Sequence, residues 1–200
     1  HFTYCFRRAG TQYIFEVCNA LRMPTIITHP ALPVALAFGA GRNIISTRLL
    51  LAGVTASVLP DLDVLAFRFG IPYAAAFGHR GFSHSVLFAL IVAGIGAGMA
   101  RWLNSTSTRT FFFLFFAAIS HGILDAFTTG GLGIAFLWPW SDARFFAPVQ
   151  VIKVSPFGVS RFLSPRGVTV LKSELLWVWL PSCIAMFGMM ITRHLSTRQR

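Results

Sequence analysis

Apolar residues in this chain come in blocks separated by short polar breaks, and the blocks set the expected architecture. Residues 30–41 form a first apolar run that stops at Gly41-Arg42-Asn43, a helix stop followed by a turn. Residues 47–60 form a second, with Arg48 near its start and Pro60-Asp61-Leu62-Asp63 at its end. Both are shorter than the roughly 20 residues a helix needs to cross a ~30 Å hydrocarbon core. They read as a hairpin packed on other helices, or as segments that extend into their flanks. Residues 84–103 are long enough to span, and Gly94, Gly96 and Gly98 suit close helix packing. Residues 109–128 follow a polar turn and are led by Phe111 to Phe116. Residues 174–192 make the last span, with Trp177 and Trp179 as interfacial anchors. The pattern predicts an all-α integral membrane protein of four to five apolar helices.

Residues 130–173 break the pattern. Gly130, Gly131 and Gly133 end a helix, Trp138-Pro139-Trp140 opens an irregular stretch, and Val149 to Val154 reads as a short strand. A loop this long in a small domain reads as a lid or binding segment. Residues 1–22 read as a non-native or flexible N-terminal extension, with an amphipathic leader as the other reading. Residues 23–200 then form one membrane-embedded helical domain.

Composition agrees with the bilayer. Hydrophobic residues make up 55% of the chain, with 21 Phe and a mean hydropathy of +0.67, which argues against a soluble globule. The net charge of +11 is scattered between apolar runs rather than gathered on a stripe. That suits lipid headgroups, and no nucleic-acid partner is expected. Three cysteines without a CxxC argue against a disulfide framework and against a thiolate zinc site.

Only 12% of residues are charged, so the polar groups between apolar blocks carry information. An ionisable side chain near lipid is costly unless it faces a cavity, pairs or binds an ion. Such groups occur at His29, at Asp61 and Asp63, along His79-Arg80-Gly81-Phe82-Ser83-His84-Ser85, and at His121 and Asp125. With short turns at 41–47 and 104–109, alternating helix direction brings these groups to one membrane face. Arg42, Arg48, Arg101, Arg109 and the arginines of the tail share the other. The positive-inside rule makes the basic face cytoplasmic and the polar cluster outer, although the basic residues of the 130–173 loop pull against that assignment.

His121 and Asp125, four apart, share one helix face and can hold one ion, as can an ordinary hydrogen-bonded helix end. Asp61 and Asp63 sit at the negative end of a helix dipole, which is unfavourable unless a cation compensates. His79 and His84 converge from a loop and a helix start, where Ser83 reads as the N-cap. Imidazole mixed with carboxylate suits zinc, manganese or iron. The number of candidates suits a centre that activates water and clamps a phosphoryl oxygen. Arg80 could bind phosphate bidentately or snorkel to the headgroups.

Taken in order, Thr28-His29, Pro60-Asp61-Leu62-Asp63, the segment from His79 to Ser85 and His121-Gly122-Ile123-Leu124-Asp125 resemble the YdjM-like family of bacterial inner-membrane proteins. The resemblance covers roughly Met23 to His194. It implies a membrane-bound, metal-dependent hydrolase of the bacterial inner membrane, some members being under LexA control. The ligand pattern is also similar, more weakly, to zinc-dependent phospholipase C. Beyond Asp125, however, only Asp142, Glu174 and His194 could add ligands, so a trinuclear cluster is not matched.

The leading reading is hydrolysis of a phosphoester or another lipid-linked ester with one or two divalent ions, zinc or manganese. His29, Asp61, His84, His121 and Asp125 would hold metal, Asp63 or His79 would act as general base or orient a ligand, and Arg80 would touch substrate. A lipid-phosphate phosphatase with a histidine nucleophile fits less well, because Phe115 stands where that motif has arginine. An ion-binding, transport or structural membrane protein using the same polar cluster stays open.

Overall fold

Three helix starts are set by hydroxyl side chains placed just before the apolar blocks. In the computed structural model, which describes residues 22–23, 26–156 and 165–198, α1 spans Ala31–Ala40, α2 Thr47–Val58, α3 Val86–Gly98 and α4 Ser107–Ala126. Ser46, Ser85 and Thr106 cap α2, α3 and α4 by accepting from the backbone N–H of Leu49, Phe88 and Arg109. Ser83, the expected cap of α3, gives its hydroxyl to Asp63 instead. The helix begins later than that spacing implies, after a 3-10 turn at Phe82–His84. Ser85→Ala should therefore lower stability by about 1 kcal/mol, read by thermal unfolding in detergent.

Two expected lengths change. The second block does not stop at Pro60, because proline is tolerated in a first helical turn. The chain runs on as 3-10 turns over Leu59–Phe69 until Gly70, at φ 73, closes them. Thr47–Phe69 thereby becomes, among the described residues, one of three segments long and apolar enough to cross a membrane, with Ser107–Ala126 and Pro165–Arg198. The 84–103 block, in contrast, yields only the 13-residue α3 and a set of turns, and it joins α1 as a short apolar helix. The last segment starts early: α5 (Pro165–Glu174), a π turn (Leu175–Trp179) and α6 (Leu180–Arg198) follow without a break. Helix thus replaces the end of the predicted 130–173 loop.

The strand expected at Val149–Val154 reduces to one parallel bridge between Thr128 and Ile152. A two-residue ladder lies just beyond, with β1 (Arg22–Met23) antiparallel to β2 (Ser155–Pro156). Of the predicted extension at 1–22, all but Arg22 lies outside the described residues.

In the packed bundle α4 lies against α2 and α3, and α6 lies against α1. The contact faces are small: Ala56, Ala89, Ala93, Ala117 and Ala118 meet Leu49, Phe113 and Leu114. A Cβ at Gly53 would collide with Phe113, and one at Gly96 with Leu114. Close approach of this kind is how helices gain contact in lipid, where no hydrophobic drive joins them. Outward-facing Leu51, Ile91, Ile95, Phe112, Phe116, Ile184, Phe187 and Ile191 are exposed, and α6 has no buried residue. An apolar exterior on span-length helices is a lipid-facing surface. The protein should resist a carbonate wash and leave the membrane only with detergent; release without detergent would contradict this architecture.

Polar contacts fix the two ends. Ser46 Oγ donates to the Leu103 carbonyl at 2.5 Å, Arg48 to that of Trp102 at 3.0 Å, and Arg109 to that of Ile44 at 3.1 Å. The 41–46 and 99–106 turns therefore sit together, and Arg193 reaches the Gly39 carbonyl at the same end at 3.2 Å. The other end gathers His29, Asp61, His84 and Asp125.

Candidate metal centre

Five separate pieces of chain deliver the polar cluster. His29 precedes α1, Asp61 and Asp63 lie on the 3-10 continuation of α2, and His79 and Arg80 come from the following loop. His84 ends the 3-10 turn before α3, and His121 and Asp125 come from the last turns of α4. His29, His79, Arg80, His84, His121 and Asp125 are buried, and Asp61 and Asp63 half-buried. All eight side chains named from the sequence meet here.

Asp63 is the first knot. Its Oδ1 accepts from His79 Nδ1 at 2.5 Å. Its Oδ2 accepts from the Arg80 backbone N–H at 3.0 Å and the Ser83 hydroxyl at 2.6 Å, and lies 3.2 Å from His84 Nδ1. One carboxylate thus orients two imidazoles and pins a loop. Arg80 has φ 61, a region costly for a residue with a Cβ, and the bond to Asp63 helps hold it there.

The Arg80 guanidinium is the second knot. Fully buried, it places Nε 3.0 Å from Asp125 Oδ2 and donates to the Gly130 carbonyl at 2.6 Å and Thr128 Oγ1 at 3.1 Å. The fork expected on a phosphate is turned toward Asp125 and the loop after α4. Gly131 makes room for it, since a Cβ there would crowd the guanidinium and the Tyr73 hydroxyl.

The third group has ligand geometry. His121 Nδ1–H donates to the Ser57 carbonyl at 2.7 Å, which leaves the lone pair on Nε2. That Nε2 lies 3.1 Å from His84 Nε2 and 3.3 Å from Asp61 Oδ1. His29 stacks on His121 with centroids 3.7 Å apart, and its Nε2 is 3.8 Å from Asp61 Oδ2 and 3.9 Å from Asp125 Oδ1. Two ligands about 2.1 Å from a tetrahedral ion stand roughly 3.4 Å apart, so these separations bracket that value. Among the described residues neither ring nitrogen of His29 has a hydrogen-bond partner, and the oxygens of Asp125 have only their ion contacts with Arg80, His29 and His84. Buried polar atoms left this way are costly, and a shared cation would satisfy them.

Among the described residues the donor atoms form three groups that could hold an ion: His29, Asp61 and His121; His84, His121 and Asp125; and Asp63, His79 and His84. The first two share His121 and contain the five ligands expected from the sequence. The third is the Asp63 knot, whose carboxylate is already engaged. The residues fit a metal ion.

Residues 23–196 match the YdjM inner membrane protein family. The chain belongs to that family. It is 50% identical over 173 residues to the inner membrane protein YbcI of Escherichia coli (strain K12), covering 86% of this chain and 99% of that protein. No solved structure matches it. Family and spans together make this a multi-pass protein of the bacterial inner membrane, with the lipid bilayer as its partner.

Within this YdjM-family protein the electrostatics of the cluster favour positive charge. Among the described residues, Arg80 is the permanent cation ion-paired within a cluster of three carboxylates, Asp61, Asp63 and Asp125. Burial, helped by neighbouring His121, holds His29 far below its usual range, at about 3, so the ring is neutral and available as a ligand. Burial also disfavours charge on His84, but Asp63 and Asp125 outweigh it and raise the pKa to about 9. The same carboxylates that attract a proton there would attract a metal cation.

Several supporting groups were not foreseen. The Ser57 and Gly130 carbonyls are backbone atoms, which residue type does not announce. Arg144, visible only as one basic residue of the loop, donates to the carbonyls of His79 at 3.2 Å and of Tyr73 and Ala75 at 3.4 Å. It ties the loop after α4 to the segment that carries His79.

Proposed function

We propose that this protein is a metal-dependent hydrolase of a phosphoester or another lipid-linked ester. His29, Asp61, His84, His121 and Asp125 would hold one or two divalent ions, zinc or manganese by the mixture of imidazole and carboxylate. The observation that carries the reading is the convergence of buried ligand atoms on His29 and Asp125 that lack hydrogen-bond partners. A bound ion would supply water activation and charge neutralisation at the ester's phosphoryl oxygen.

The chain's own groups take the remaining roles. Asp63 keeps a proton on His79 Nδ1 and leaves Nε2, buried without a partner, to receive the proton that water loses. Asp63 also orients His84, and Arg80 orients Asp125, so the ligands are held before an ion arrives. The segment from Gly130 would serve as a lid anchored by Arg80 and Arg144. With the basic turns in the cytoplasm, the site would face outward.

Purified protein in detergent should hydrolyse a generic phosphoester. A chelator should abolish that activity, and zinc or manganese should restore it. Activity that survives chelation would contradict the reading. The fully buried Arg80–Asp125 pair favours a second reading, in which the cluster is an ion-binding, transport or structural device. That reading predicts bound ion or stability without turnover.

A further inference from the structure

At the end of the helices opposite the metal centre, a cavity of about 930 Å³ opens between the end of α1, the turn after it and the last turns of α6. Phe38, Ile44, Leu50 and Met190 give it an apolar wall, and Arg42 and Arg193 bring two guanidiniums to it. Arg193 is seated on backbone: it donates to the Gly39 carbonyl at 3.2 Å and lies so close to Gly41, at φ 88, that a Cβ there would collide with it. Arg42 donates to Thr47 Oγ1 at 3.2 Å. Among the described residues no carboxylate lines the cavity and neither arginine has an acidic partner.

Two guanidiniums beside an apolar cavity, without a counter-charge, call for an anion that carries hydrocarbon. Guanidinium matches phosphate oxygens in a two-pronged geometry. The apolar wall matches an acyl chain, and the volume suits a ligand of that class. The neighbouring Trp102, stacked by Arg48 at 5.9 Å, has the amphipathic character of a residue at headgroup level. Basic pockets between helices on the cytoplasmic side are a known form of acidic-lipid recognition. We infer that this cavity binds an anionic phospholipid, its phosphate on Arg42 and Arg193 and its chain along Phe38, Ile44 and Met190. The site is separate from the metal centre and independent of its chemistry.

The test uses the full chain purified in neutral detergent and mixed with phosphatidylglycerol, phosphatidylcholine or inorganic phosphate. Native mass spectrometry and thermal unfolding give the readouts. Phosphatidylglycerol should be retained and should raise the melting temperature. Arg42→Gln and Arg193→Gln should each weaken its binding about tenfold, the scale of one charged hydrogen bond, and Arg101→Gln should not. Arg193→Gln also removes a contact to α1, so Arg42→Gln carries the test if that variant does not fold. Equal retention of phosphatidylcholine, displacement of the lipid by inorganic phosphate, or wild-type binding in Arg42→Gln would each overturn the inference.

Discussion

Arg80→Met should cost about 3–5 kcal/mol of stability, the scale of removing one partner from a buried ion pair. The loss comes from Asp125, left charged and buried without the guanidinium that pairs with it. It also comes from Gly130 and Thr128, which lose their donor. The double variant Arg80→Met/Asp125→Asn should recover part of the loss, because it removes both charges together. Thermal unfolding in detergent reads the effect. An arginine whose main task was to grip substrate would instead raise KM at an unchanged melting temperature, and that result would return Arg80 to the role the sequence suggested.

His79→Ala and Asp63→Asn should separate proton transfer from ligand orientation. His79→Ala should lower phosphoester hydrolysis by about 10²-fold or more, the usual contribution of a general base, with metal content nearly unchanged and a lower melting temperature from the buried bond lost to Asp63. Asp63→Asn should weaken metal binding by about 10–100-fold, the common cost of losing a group that orients a ligand, and activity should fall with it. The difference follows from hydrogen bonding: Asp63 holds the His84 ring as well as His79, whereas His79 carries no other residue of the ligand set. An Asp63→Asn protein that kept its metal affinity would contradict the role given to Asp63 in holding the His84 ring.

The residue types of the site were legible because the rest of the chain is so apolar. His121 and Asp125 share a helix face by spacing alone, and alternating helix direction brought Asp61, His84 and His29 to the same end. What spacing could not supply was the role of each group. Asp63 looks like any acid after a helix until four donors are found around it. Arg80 looks like a phosphate fork until its partners Thr128 and Gly130, some fifty residues away, are seen. Helix lengths failed where two local signals competed. Pro60 and the two aspartates suggested a stop, yet proline in a first turn and a cluster that shelters the carboxylates let the chain continue to Phe69. Hydropathy carried the next block through to Leu103, although Ser85 caps α3 and the chain turns after Gly98.

Metal binding by the polar cluster is tested most directly by elemental analysis of the detergent-purified protein. After incubation with zinc or manganese and removal of the excess, the wild-type chain should retain about one or two ions. His29→Ala and His121→Ala should each retain fewer, with His121→Ala the more depleted because His121 belongs to both ligand groups. A folded wild-type protein that retains no stoichiometric divalent ion, or the same ion content in wild type and both variants, would contradict the account.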